Sequence, residues 1–169
     1  MADFQRWDPA DADALVELLT GEDWPFHAGG RPSAEAVRER LAVGHYDGPD
    51  ARTFWIVDGG ERVGIVRLFD LADDTPMFDL RLRAAYRGRG LGGAAVRWLT
   101  GHLFAELPHA HRVEATTRAD NWAMRRVLDS CGYQQEAYYR EDWPLPDGTR
   151  QDSVGYAVLR PEWAPPEPG

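Results

Sequence analysis

Hydrophobic positions along the chain follow the period of a strand in some segments and the period of a helix in others. Apolar alternation predicts seven strands, over residues 1–7, 53–57, 63–69, 76–83, 111–116, 133–143 and 153–160. The helical period predicts four helices, over residues 9–20, 34–43, 91–104 and 121–131. Within the strand at 63–69, the alternation places Val63 and Ile65 on one face and Val66 and Leu68 on the other.

Residues 79–94 form the stretch around which the other elements are arranged. An alternating strand passes through a turn with four glycines and two arginines and enters an apolar helix. Glycine lets backbone N–H groups converge without interference from a Cβ atom, and the helix turns the positive end of its dipole toward the same point. The pattern predicts a site for a phosphate or pyrophosphate.

Two classes of phosphate-binding protein fit this turn poorly. A P-loop needs a lysine after its last glycine, and the chain contains no lysine. Gly88, Gly90 and Gly93 have the spacing of a dinucleotide fingerprint, with Glu114 as the acidic residue about twenty positions further on. However, Glu114 lies in the middle of a strand, and no further apolar parallel strands follow it.

A third class is indicated by two motifs. Residues 87–92 (Arg-Gly-Arg-Gly-Leu-Gly) resemble the Arg/Gln-x-x-Gly-x-Gly/Ala signature of the GNAT superfamily of acyl-CoA N-acyltransferases. Residues 121–133, a helix that starts at Asn121 and ends in Gly132-Tyr133, resemble the second motif of that family. Residues 140–163 resemble the branch that includes the ribosomal-protein N-terminal acetyltransferases. The resemblance covers most of the chain after Thr53.

This resemblance implies a fold of the α/β (α+β) class. It implies a GNAT-like mixed, mostly antiparallel and strongly twisted sheet of about seven strands, flanked by about four helices, with a splayed central pair of parallel strands. We expect residues 1–163 to form a single GNAT-like acetyltransferase domain. Residues 164–169 are expected to be a flexible Pro-rich tail.

The resemblance also implies the cosubstrate, which is acetyl-CoA. In the family, the turn binds the pyrophosphate of coenzyme A and the preceding strand pairs with the pantetheine arm. The positions that match in this chain are Leu80, Arg81, Leu82, Arg87, Gly88, Arg89, Gly90, Leu91, Gly92, Gly93, Asn121 and Arg126. Asn121 is equally suited to cap the helix that follows it, and one residue can do both.

The implied reaction is N-acetylation, in which a primary amine attacks the acetyl thioester directly in a ternary complex. The amine must lose a proton, since its pKa lies near 10. Asp79, beside the central strand, and Glu141, near where related enzymes carry a catalytic glutamate, are the candidate acceptors. Leu128 occupies the position of the family's tyrosine acid, so either Tyr138 or Tyr139 protonates the leaving thiolate or no acid is needed.

The acceptor pocket is expected from the loop after the first helix and from the end of a late strand. The candidate substrate-binding residues are Trp24, Phe26, His27 and Trp143. A protein N-terminus, an aminoglycoside, a polyamine or a small amino metabolite all fit as the acceptor. A non-catalytic acyl-CoA sensor that uses the same turn is the alternative function.

The composition of the chain argues against several classes of binding partner. The net charge of -9 argues against nucleic acid and suits a cationic amine. The one cysteine, Cys131, excludes a disulfide within the chain, and no ligand set with metal spacing is apparent. Neither a signal segment nor an apolar run of bilayer length is present, so we expect a cytoplasmic protein without a membrane partner. A monomer and a homodimer are both left open.

Overall fold

A seven-stranded sheet forms the centre of the computed structural model, which describes residues 1–163. The strand order is β1-β2-β3-β4-β5-β7-β6, and the β4–β5 pair is parallel while all other pairs are antiparallel. The strands are β1 (Asp3–Arg6), β2 (Ala51–Asp58), β3 (Glu61–Phe69), β4 (Met77–Leu82), β5 (Arg112–Arg118), β6 (Gln134–Pro144) and β7 (Arg150–Leu159). The predicted GNAT-like architecture is confirmed. The predicted tail at 164–169 lies outside the described residues.

In the described part of the chain, four α-helices cover the two faces of the sheet. They are α1 (Ala12–Thr20), α2 (Ala34–Ala42), α3 (Leu91–Glu106) and α4 (Trp122–Ser130). The first predicted helix begins as a short 3₁₀ turn capped by Asp8, whose side chain accepts from the N–H of Ala10. Ser33 and Asn121 cap α2 and α4, as their residue types predict.

The core is divided by the sheet into two clusters. Trp24 and Trp55 are buried with the apolar faces of α1 and α2 on one side. On the other side, α3 packs its buried residues on β2, β3 and β5, and Leu128 of α4 is fully buried. Strand alternation explains the division, because Phe54 and Ile56 belong to one cluster while Trp55 and its neighbour Val57 belong to the other.

One predicted face assignment is wrong. Val63 packs with Val66 and Leu68 rather than with Ile65. The pairing of β2 with β3 shifts between Ile56 and the next residue, which leaves Val63 as the extra residue of a β-bulge. A bulge interrupts the two-residue alternation, so the face of Val63 could not be read from the strand period.

Two features of the sheet determine where a ligand can approach. β4 and β5 pair at one position in the described chain, Met77 with Glu114, and then separate. The helices α3 and α4 both begin beside the resulting gap, at Gly90 and Asn121. The open edge of β4 and two helix N-termini therefore lie close together.

Candidate active site

The turn between β4 and α3 exposes a row of backbone N–H groups. Gly88 and Gly90 take left-handed conformations, with φ of 75° and 81°, and a Cβ added at either would meet nothing within 4 Å. Within residues 1–163, none of the N–H groups of residues 88–93 donates a hydrogen bond to the protein. Arg87 Nε donates to the Leu82 carbonyl at 3.0 Å, which holds the start of the turn against β4. Free N–H groups at the positive end of a helix dipole form a binding site for an anion.

A cavity of about 540 Å³ opens beside this turn, between β4 and α4. The residues predicted to bind coenzyme A that line it are Leu80, Leu82, Arg87, Gly88, Gly90, Gly92, Gly93, Asn121 and Arg126. Three others lie elsewhere. Arg89 lies over the ring of Tyr86, Leu91 is buried in the core, and Arg81 lines a different cavity. The positively charged turn and an apolar strand thus border the same space.

Arg97 and Ser130 also line this cavity, and neither was predicted from the sequence. Arg97 lies one helical turn after Gly93 on α3, and its Nη1 lies 3.8 Å from the Sγ of Cys131. Its side chain therefore bridges α3 to the end of α4. The i, i+4 spacing of Gly93 and Arg97 was the signal that could have found this residue.

Beyond Met77, the edge of β4 that faces the gap is not paired with β5 in the described chain. His27 Nε2 lies 3.1 Å from the Leu80 carbonyl oxygen, so this carbonyl points into the gap and away from β3. A strand residue directs its N–H and its C=O to the same side. The N–H of Leu80 therefore also faces the gap, where a bound group can accept a hydrogen bond from it.

The loop after α1 closes one side of the gap. Trp24 is buried, and its indole N–H donates to a carbonyl of α1 at 2.9 Å. Arg118 of β5 donates from Nη1 to the Pro25 carbonyl at 2.9 Å, and its guanidinium lies 5.0 Å from the ring centroid of Phe26. The loop is thus tied to β5 through Arg118 and to β4 through His27.

A second cavity of about 420 Å³ lies on the other side of the gap. The predicted substrate-binding and catalytic residues that line it are Phe26, His27, Asp79 and Trp143. Trp24 lines the first cavity. The residues shared by both cavities are Phe26, His27, Leu80, Asn121 and Met124. The two cavities therefore meet at the open edge of β4.

Two side chains hold the carboxylate of Asp79 in the second cavity. Its Oδ1 lies 2.9 Å from His27 Nε2, and its Oδ2 accepts a hydrogen bond from Arg81 Nε at 3.0 Å. Burial acts to raise the pKa of Asp79, but the hydrogen bonds and charges of His27 and Arg81 outweigh it and hold that pKa well below its usual range. The carboxylate is therefore ionised at neutral pH and is a weak base.

The same contacts determine the tautomer of His27. Its Nε2 faces two acceptors, the Asp79 carboxylate and the Leu80 carbonyl, so this nitrogen carries the ring hydrogen. Its Nδ1 is buried and has no hydrogen-bond partner among the described residues. In the neutral ring, Nδ1 holds a free lone pair in a residue that borders both cavities.

Asn121 caps the N-terminus of α4, as its position in the sequence predicted. Its Oδ1 accepts from the N–H of Met124 at 3.3 Å, and its Nδ2 donates to Thr117 Oγ1 at 3.0 Å. The cap on α4 is therefore present. One amide hydrogen of Asn121 is left for a group in either cavity, and its contact with pantetheine stays a prediction.

The structure does not bring Glu141, predicted as a proton acceptor, to the two cavities. β6 is irregular between Tyr139 and Trp143, and Glu141 lies there exposed, with a φ of 50°. Its N–H donates to the Asp152 carboxylate, which also accepts from the Tyr138 hydroxyl. The irregularity changes the direction of the side chain, and the strand period gave no sign of it.

Within residues 1–163, no three His, Cys, Asp or Glu side chains come close enough together to hold a metal ion. No helix of that same part combines the length and the apolar character that crossing a membrane requires.

Comparison with family models decides the family. The model described as the acetyltransferase (GNAT) domain matches residues 3–134. The chain belongs to the GNAT acetyltransferase family. The resemblance inferred from the turn at residues 87–92 and from the helix after Asn121 is confirmed. No curated protein matches the chain.

Solved structures of other acetyltransferases share the fold of this protein. RimL, an alpha-N-acetyltransferase of a ribosomal protein solved with coenzyme A, is 18% identical, with a TM-score of 0.80 over 94% of this chain and 93% of its own. The spermidine N-acetyltransferase of Vibrio cholerae, solved with CoA and spermine, is 15% identical, with a TM-score of 0.78 over 95% of this chain and 96% of its own. At these identities the likeness establishes the fold alone.

In this GNAT acetyltransferase the family match ends at residue 134, where β6 begins. The last two strands still complete the sheet, because β7 pairs with every residue of β5 and with β6 on its other side. Trp143 of β6 lines the second cavity. Part of that cavity therefore lies beyond the segment that the family model matches.

Proposed function

We propose that this protein is an N-acetyltransferase that moves an acetyl group from acetyl-CoA to a primary amine by direct attack in a ternary complex. The observation that carries the proposal is the meeting of two cavities at the open edge of β4, beside His27, Leu80 and Asn121. One cavity has the anion-binding turn at its border and the other does not. Two reactants that enter from opposite sides would meet at the gap.

The residues around the first cavity fit coenzyme A. The free N–H groups of residues 88–93 suit a pyrophosphate, with Arg126 and Arg97 as nearby cations. Leu80 and Leu82 offer an apolar wall and, on the gap side of β4, backbone groups for an extended amide chain. Acetyl-CoA supplies an activated acetyl thioester when bound. The N–H of Leu80 is placed to donate to the charge that develops on the carbonyl oxygen.

The proton that the amine loses needs an acceptor, and we assign it to the His27–Asp79 pair. The amine nitrogen bonds to the acetyl carbon, the carbon–sulfur bond breaks with its electrons on sulfur, and the proton from nitrogen goes to His27, whose ring must turn to bring the buried Nδ1 to the gap. Asp79 accepts from Nε2–H and stabilises the imidazolium that results. Direct proton transfer to Asp79 is less favourable because its pKa is lowered.

A general acid for the leaving sulfur is not part of the proposal. Leu128, at the family's tyrosine position, is buried in the core, and the Tyr138 hydroxyl is bound to Asp152 outside both cavities. A thiol has a pKa of about 8.5, so the thiolate can leave without prior protonation. Near neutral pH it then takes up a proton readily. The proton on His27 can return to sulfur or pass to solvent.

Thiol release from acetyl-CoA in the presence of a panel of primary amines tests this function. An N-acetyltransferase releases CoA at a rate that rises with amine concentration and yields one acetylated amine per thiol, measured by mass spectrometry. A protein that binds acetyl-CoA, shown by calorimetry, yet releases no thiol above background with any amine would instead be the acyl-CoA sensor.

A further inference from the structure

The second cavity is positively charged, in contrast to the chain as a whole. Among the described residues that line it are three arginines, Arg40 of α2, Arg67 of β3 and Arg81 of β4, and one carboxylate, Asp79. The complete chain has a formal net charge of -9. A local excess of positive charge inside an acidic protein attracts an anion to that cavity.

Arg67 is the unusual member of this group. Asp79 is its direct partner in the β3–β4 register, yet the carboxylate of Asp79 is bound to Arg81 and His27 instead. Within residues 1–163, no carboxylate oxygen lies within 4.0 Å of the guanidinium of Arg67. Its contacts are a 3.4 Å hydrogen bond to the carbonyl of His45 and the ring of Phe69 at 4.2 Å.

The partial burial of Arg67 favours the binding of a counter-ion to its guanidinium group. The residue is partly buried, and burial lowers its pKa, although the charge of Asp79 nearby acts in the opposite direction. A buried cation without a counter-ion is unfavourable, and a planar guanidinium prefers a carboxylate or phosphate that it can contact through two N–H groups. Arg40, at the same cavity, also has no carboxylate within 4.0 Å in the described chain.

We propose that the acceptor is a small primary amine that carries an oxyanionic group, a carboxylate or a phosphate, bound by Arg67 and Arg40. The inference rests on the proposed N-acetyltransferase function and names its substrate class. The anionic group occupies the arginine side of the second cavity, and the amine reaches toward His27 and the gap. A volume of about 420 Å³ suits a small molecule.

The same charges disfavour a polyamine. The ammonium groups of a polyamine would be repelled by the three guanidinium groups of this cavity. The carboxylate that could attract them, Asp79, is already paired with His27 and Arg81. The spermidine N-acetyltransferase shares the fold, but its substrate class does not follow from this. The net charge of the whole chain is negative and suggested a cationic amine, but the charged residues around this cavity are mainly positive.

Matched pairs of amines test the substrate class. We expect β-alanine to exceed β-alaninamide, and O-phosphoethanolamine to exceed ethanolamine, in kcat/KM by roughly ten- to a hundredfold, because a charge-assisted hydrogen bond contributes about 1.5–3 kcal/mol. The two pairs distinguish a carboxylate from a phosphate. Spermidine and a short peptide with an acidic first residue complete the panel. Equal values within both pairs, or a preference for spermidine or for the peptide, would overturn the proposal.

Variants connect the preference to the residues. Arg67→Met keeps the length of the side chain and should reduce the anionic-to-neutral ratio toward one, while Arg67→Lys should retain part of it. Arg38→Met is the matched control, because Arg38 lies on α2 near Arg40 but pairs with Asp13 outside the cavity. An Arg67→Met protein that folds and keeps the full ratio would contradict the assignment.

A binding measurement separates this inference from the transfer reaction. Burial, followed by the charges of Arg67 and Arg40, lowers the pKa of His45 to about 4, with Arg81 acting in the same direction and Asp79 in the opposite one. An anion beside these arginines offsets their charge, so β-alanine or O-phosphoethanolamine should raise the His45 pKa, measured by NMR without acetyl-CoA. The shift should be absent in Arg67→Met.

The outcomes are distinguishable. If the His45 pKa rises with either probe but no amine releases thiol, the anion site stands and the N-acetyltransferase function fails. If thiol is released equally from anionic and neutral amines, and neither probe moves the His45 pKa, the function stands and the anion site fails.

Discussion

At the scale of single residues, the pairing of His27 with Asp79 has the largest consequence. One residue comes from a loop and the other from β4, and their side chains meet at 2.9 Å. The contact fixes the hydrogen of His27 on Nε2 and leaves Nδ1 without a partner in the described chain. The Asp79 carboxylate thereby fixes the tautomer of a histidine that borders both cavities.

Replacing His27 by glutamine tests this role. We expect His27→Gln to lower kcat/KM by roughly 10²–10⁴-fold at pH 7, the usual contribution of a general base. The deficit should shrink as the pH approaches the amine pKa near 10, because the substrate is then already deprotonated. His111→Gln, at an exposed histidine outside both cavities, is the control. A deficit that stays constant across pH would mean that His27 only positions the substrate.

At the scale of elements, the unit formed by β4, the turn and α3 determines where ligands can bind. β4 keeps an open edge because β5 pairs with it at Met77 and then turns away. Gly90 begins α3 in the left-handed region, which L-residues with a Cβ rarely adopt. Gly92 lines the cavity and lies against α4, where an added Cβ would stand 3.6 Å from Val127 Cγ2.

Adding a side chain at Gly92 tests the anion-binding turn. Gly92→Val should raise the Kd for CoA at least about tenfold, because the side chain would occupy the cavity beside the free N–H groups. Gly101→Val, on the same helix, should leave the Kd unchanged, since its nearest neighbour is Trp163 Nε1 at 3.9 Å. Calorimetric titration gives both values. A normal Kd in Gly92→Val would refute the assignment of the pyrophosphate site.

At the scale of the whole molecule, the charge around the two cavities is opposite to that of the chain as a whole. The surface is acidic overall, while arginines surround both cavities that open onto the gap. The loop after α1 spans β4 and β5 and contributes Phe26 and His27 to both cavities. A ligand that fills the first cavity therefore contacts segments from several parts of the chain and should stabilise the folded state.

Thermal unfolding with added ligand tests this expectation. CoA at about a hundred times its Kd should add about 2.7 kcal/mol to the free energy of unfolding, which corresponds to a rise in Tm of about 5–10 °C for a chain of this size. NAD at the same concentration should leave the Tm unchanged, because the dinucleotide interpretation of Gly88, Gly90 and Gly93 does not agree with the GNAT family. A larger rise with NAD than with CoA would reverse that conclusion.

The strands, the helices and the position of the glycine-rich turn were predictable from the sequence because each depends on neighbours along the chain. The strand and helix periods locate the elements, and Asn121 caps α4 through its own side chain. The glycines of the turn take positive φ where their lack of a Cβ permits it. These features identified the family before any contact between distant segments was known.

Tertiary structure alone decided which charged groups meet and which are left without a partner. The bulge at Val63, the pairing of His27 with Asp79 and the isolation of Arg67 all depend on strand register and on packing between segments far apart in sequence. Glu141 lies outside the two cavities, in an irregularity of β6 that no periodicity reveals. Local sequence determines which elements form and where the turn lies, whereas the charge that faces the acceptor depends on how the folded segments come together.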